Sequence, residues 1–62
     1  MIVKAYDASG TEPEKLVWEG DLEELLREYQ GDLTASDVAQ LRWLQVGQSA
    51  TVGGGFRVER VG

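Results

Sequence analysis

Leu22, Leu25, Leu26 and Tyr29 recur at i, i+3, i+4 and i+7, and that spacing lays them along one face of an α-helix. Asp21 stands where a helix N-cap is needed, and Glu24 follows three residues later in a box-like pattern. The carboxylate at 21 is therefore expected to accept a backbone N–H near residue 24. Gly20 breaks what precedes it and Gly31 supplies the stop, so the spacing predicts a helix over 22–29. A one-sided helix must cover its stripe with something else. Strand-like runs near both ends of the chain supply a sheet for it to pack on.

Residues 2–6 (Ile2-Val3-Lys4-Ala5-Tyr6) read as a first strand. Ser9-Gly10 and Glu12-Pro13-Glu14 are turn chemistry, and Pro13 has no N–H to give to a ladder. Residues 15–19 then alternate, with Leu16 and Trp18 on one face and Lys15, Val17 and Glu19 on the other. This predicts a second strand hairpinned to the first, with Trp18 in the core beside Leu16. Near the other end, residues 49–52 and 56–61 are β-rich runs separated by Gly53-Gly54-Gly55. Three glycines permit a tight hairpin with positive φ. Ala50, Val52, Phe56 and Val58 are the inward candidates.

Between the hairpins, Leu33-Thr34-Ala35-Ser36-Asp37-Val38 signals a second helix start. Thr34 caps, Asp37 occupies the third helical position, and Leu33 staples to Val38. Val38, Leu41 and Leu44 share a face, and Gly47 is read as the stop. The short connection makes the two helices an αα-hairpin. The order β-β-α-α-β-β predicts one α+β domain spanning 1–62, a two-layer sandwich with an antiparallel sheet and both helices on one face.

The composition excludes more chemistry than it suggests. The 62 residues contain no cysteine and no histidine. That leaves no disulfide, no thiolate nucleophile, no thiolate metal site and no imidazole base or ligand. A chain this short buries only ~60% of its unfolded surface, so it depends on tidy local structure or self-association. Paired carboxylates occur at Glu12/Glu14, Asp21/Glu23/Glu24 and Glu28/Asp32. Acid–base catalysis by such a pair needs a pocket with opposed walls, which this length hardly permits. No calcium-loop spacing is present. The glycine triplet opens onto the strand-like Phe56-Arg57-Val58 with no following Lys, so it reads as a turn rather than a phosphate loop. Neither catalytic residues nor a cofactor or metal site are indicated. No apolar run is long enough for a signal peptide or a membrane span, and a cytoplasmic location is expected.

Charge is the informative feature. The net charge of −5 argues against direct nucleic-acid binding. Its distribution is uneven: residues 7–37 hold ten acids against Lys15 and Arg27, while the segments on either side are net positive. On the first helix, Glu23–Arg27 is a supportive i,i+4 pair and Glu24–Glu28 a repulsive one. Such a surface serves solubility, or it docks on a basic protein surface. Trp43 is the second feature. With Val38, Leu41 and Leu44 inward, Trp43 points away beside Ala39 and Val46, where an aromatic would serve as an interface anchor if exposed.

The arrangement Asp37-Val38, Leu41, Leu44, Gly47-Gln48 and Val52-Gly53-Gly54-Gly55-Phe56, together with the size, acidity and mixed β/α order, resembles small accessory proteins of phages and mobile elements, such as some type I anti-CRISPR proteins. That resemblance implies a stoichiometric inhibitor seated in a basic nucleic-acid groove of a bacterial surveillance complex. It transfers no individual residue role. The expectation is a non-enzymatic protein-binding module, with Glu19, Glu23, Glu24, Glu28, Asp32 and Trp43 as partner-contacting residues. The acids would stand in for phosphates. The alternative is a structural or assembly protein that homodimerises through a strand edge or the Ala39/Trp43/Val46 patch.

Overall fold

The computed structural model describes residues 1–10 and 13–62; the Glu12 half of the Glu12/Glu14 pair lies outside them. Four strands and two helices follow in the order β1 (Ile2–Asp7), β2 (Lys15–Asp21), α1 (Leu22–Glu28), α2 (Ala35–Arg42), β3 (Ser49–Val52) and β4 (Phe56–Arg60). The strands form one antiparallel sheet in the order β2-β1-β4-β3. The α+β class and the element order agree with the sequence pattern. Each hairpin contributes an outer strand, and the first and last strands pair at the centre.

Alternation along β1 and β4 separates the two sheet faces. Val3, Ala5 and Val58 are buried on the helix side, joined by Val52 of β3. Leu22 and Leu25 of α1 and Leu41 and Leu44 of α2 complete the core against them. Ala50, Leu26, Tyr29, Leu33 and Trp18 pack around its margin. Phe56 lies at the same end, its ring centroid 6.2 Å from that of Tyr29. The opposite face carries Lys4, Tyr6, Arg57 and Glu59, whose cross-strand register is Lys4↔Glu59 and Tyr6↔Arg57.

The second strand departs from simple alternation. Ala5 pairs with Trp18 but Tyr6 pairs with Leu16, so Val17 is the extra residue of a β-bulge. The bulge splits the expected Leu16/Trp18 face. Trp18 lies with Ala5 on the core side, and Leu16 turns to the outer face with Tyr6, where it is exposed. Strand β2 also runs through Gly20 to Asp21 rather than breaking there. A Cβ at Gly20 would fall 2.8 Å from the Trp18 ring, so this glycine gives the indole its place.

Both helix starts are capped, by different geometries. Asp21 accepts from the Glu23 N–H at 3.2 Å, one residue earlier than the box-like pattern suggests. Thr34 and Asp37 form the full reciprocal capping box, with both bonds at 3.1 Å. The Asp37 carboxylate further accepts from the Gly53 N–H at 3.4 Å, which ties the start of α2 to the end of β3. At its other end α2 stops at Arg42 with Trp43 as C-cap, well before Gly47. Gly47, at φ +89, instead turns the chain into β3 and donates its N–H to the Arg60 carbonyl at 2.8 Å. The glycine triplet is the β3–β4 turn, with all three φ values positive. Gly55 also lies under the Ser9 backbone and accepts from the Ala8 N–H at 2.8 Å.

Two measurements test this packing. Leu41 is fully buried at the centre of the core, so Leu41→Ala is expected to lower unfolding stability by about 3 kcal/mol in urea titration. The Asp37 carboxyl sits below its ordinary pKa, chiefly because it accepts the Thr34 backbone N–H. A depressed pKa contributes stability that is complete above the unfolded value of about 4 and is lost as pH falls through the folded value. Unfolding midpoints measured from about pH 5 down to pH 2 should therefore fall less steeply in Asp37→Asn than in the wild type. Asp7, lowered by its bonds from Ser9, keeps part of the slope in both proteins.

Candidate functional site

The six residues marked out by the sequence do not converge on one place. Glu19 lies on β2 opposite Lys4, on the sheet face turned away from the helices, and its carboxylate is 3.6 Å from the Lys4 ammonium. Glu23, in the first turn of α1, receives the Arg42 guanidinium at 2.7 Å. That bridge replaces the i,i+4 pairing with Arg27 expected from spacing. It also joins the first turn of α1 to the last turn of α2. Glu24 and Glu28 are exposed on α1, and with Arg27 they line a shallow open depression. Asp32 is exposed in the turn that follows α1.

Most of the basic side chains are used inside the fold. Lys4 faces Glu19, Arg42 holds Glu23, and Arg57 holds Glu14 at 2.7 Å. The Arg57 guanidinium also stacks 4.6 Å from the centroid of the Tyr6 ring. Its pKa is raised above the ordinary arginine value, first by the hydrogen bond to Glu14. Arg60 turns to backbone, donating to the Leu44 carbonyl at 2.9 Å and the Gly62 carbonyl at 3.0 Å. Among the described residues, no basic group is within ion-pair distance of Glu24, Glu28 or Asp32. The stretch from Glu24 to Asp32 thus keeps three acids outward against the single Arg27.

Trp43 is 84% exposed and Val46 63%, a much larger exposure than any core-lining aromatic has here. Trp43 is the C-cap of α2 and lies where the helix ends. Once the chain leaves the helix at Arg42, Leu44 turns inward and the residues on either side of it point out. Helical spacing alone placed both Trp43 and Val46 away from the core, and both are exposed here. Trp43 adjoins Arg42, and so lies at the same end of the helical layer as Glu23.

Among the described residues, the cavity that accompanies these surfaces is small. The apolar notch among Ala5, Val17, Leu25, Tyr29 and Phe56 measures about 20 Å³, room for roughly one water rather than a ligand. Among the described residues, no three acidic side chains gather as a metal site would require. No described helix is long and apolar enough to cross a membrane. The Tyr6–Arg57–Glu14 stack was not foreseen from sequence. It joins residues far apart in the chain through the β1–β4 register, and no local pattern carries that information.

Comparisons with known protein families, curated proteins and solved structures gave no match.

An indole this exposed contributes little to the fold. Trp43→Ala is expected to leave unfolding stability within about 0.5 kcal/mol of wild type. At dilutions where the protein is monomeric, it should also remove most of the tryptophan emission that acrylamide quenches, leaving the half-buried Trp18 signal.

Proposed function

We propose that this protein is a non-enzymatic binding module whose acidic α1 face docks on a basic surface of another protein. The observation that carries the reading is the division of the charges. Lys4, Arg42, Arg57 and Arg60 are engaged within the fold, whereas Glu24, Glu28 and Asp32 are outward without ion-pair partners among the described residues. Carboxylates on a helix accept hydrogen bonds from Arg and Lys much as phosphates do. Their summed field would speed encounter with a basic partner.

The mimicry needs fewer acids than the chain offers. Glu19 and Glu23 are compensated by Lys4 and Arg42. They belong to the fold's own electrostatics, and the docking role falls to the later part of α1 and the turn after it. The specific form of the proposal is an inhibitor that competes with nucleic acid for a groove, with a CRISPR surveillance complex as the partner suggested by the resemblance to anti-CRISPR proteins.

The test is competition. Purified surveillance complex is titrated with this protein while binding of its target DNA is followed by gel shift at low and high salt. The double variant Glu24→Lys, Glu28→Lys should lose at least tenfold in inhibition, and added salt should weaken the wild type. Equal inhibition by wild type and variant would rule out docking through these acids. Circular dichroism should remain unchanged, because both positions are exposed.

A further inference from the structure

The two edges of the sheet are built differently. The β2 edge is interrupted by the bulge at Val17, is preceded by Pro13, and carries Lys15, Glu19 and Asp21. Bulges, prolines and charges are the devices that keep an edge strand from pairing with another chain. The β3 edge has no bulge, proline or charge, and only its length of four residues limits pairing. Its sequence Ser49-Ala50-Thr51-Val52 is uncharged, contains no proline, and pairs with β4 in unbroken register.

The helix above β3 continues this uncharged strip. The Asp37–Gly53 bond sets the start of α2 at the end of β3, and the chain returns from the end of α2 to the start of β3. Helix α2 therefore runs antiparallel to the edge strand and along it. Arg42 and Gln40 lie on opposite flanks of buried Leu41, about 100° to either side. Arg42 reaches across to α1, so the Gln40 flank faces the open side. Ser36 and Gln40 lie toward that flank, and Trp43 continues their row at i+7 on the outward side of α2, all exposed. The nearest charge on the helix, Asp37, is occupied by Thr34 and Gly53. On the sheet's outer face, Arg57 opposite Thr51 is held by Glu14.

In a chain with 27% charged residues and a net charge of −5, this strip is where two copies meet without like-charge repulsion. We infer that the protein forms a two-fold dimer through antiparallel pairing of β3 with β3 of a second copy, with Trp43 packed across the joint. The four-stranded sheet is then doubled into one continuous sheet. A two-fold axis through Ala50 or Thr51 keeps every side chain on its own face. The α2 helices of the two copies lie side by side and antiparallel. Each Trp43 is brought toward the first turns of the other α2, where the small Ser36 borders the joint. The acidic α1 helices, which pack over β2, lie at the far ends of the dimer. This association is independent of the docking role proposed for α1.

Sedimentation equilibrium of the full chain over a concentration series tests the inference. The wild type should weigh twice the monomer mass of 6.8 kDa. Trp43→Ser should raise the dissociation constant about thirtyfold or more, as loss of a buried aromatic anchor does. Thr51→Glu should do likewise, since it sets two carboxylates close to the two-fold axis. In the monomer that glutamate faces Arg57 and is tolerated, which unchanged circular dichroism and urea midpoints would verify. A wild type that is monomeric at about 1 mM overturns the inference, and shielding of Trp43 only by another protein would then identify a different occupant. A dimer unaffected by Thr51→Glu overturns strand pairing as the mode of association.

Discussion

The pairing of β1 with β4 is the interaction on which the rest of the molecule depends. Each terminal hairpin is a two-stranded unit of a kind that has marginal stability alone in water. Their central pairing makes a sheet wide enough for two helices, with Val3 and Ala5 from one hairpin and Val58 and Val52 from the other meeting Leu22, Leu25, Leu41 and Leu44. The same register sets Arg57 over Tyr6 on the opposite face. Without disulfides, the core has no other long-range fastening of comparable extent.

What could be read beforehand divides along a physical line. Features determined within a few residues were legible: the α1 stripe from Leu22 to Tyr29, the Thr34–Asp37 capping box and the glycine turn. The class of the fold followed from their order. Features determined across the sheet were not. The expected Leu16/Trp18 face assumed unbroken alternation, and the bulge at Val17 reflects packing against β1 that no local pattern encodes. Gly47 was read as a helix stop because glycine so often is one. Here α2 ends at Arg42 and Gly47 instead turns the chain into β3, its N–H bonded to Arg60 of β4, a partner 13 residues away that no local pattern indicates.

Charge illustrates the same point on the surface. Counting along the chain gathers Glu19 with Glu23 and Glu24, five residues away or fewer. In space the sheet separates Glu19 from the others, and Lys4 and Arg42 neutralise two of the set. The partners of Arg57 and Arg42 come from 43 and 19 residues away, and distances of that kind remake the charge map after folding. The acids left on α1 are those that tertiary structure did not recruit.

The bulge in β2 has a consequence for growth as well as for shape. A sheet with two receptive edges adds copies indefinitely, because each addition exposes a fresh edge like the one just covered. Here the two ends of the sheet are unlike, and the irregular, charged one resists addition. Any strand that joins β3 is therefore also the last. An asymmetry introduced by one extra residue at position 17 sets the difference between a particle of finite size and a fibre.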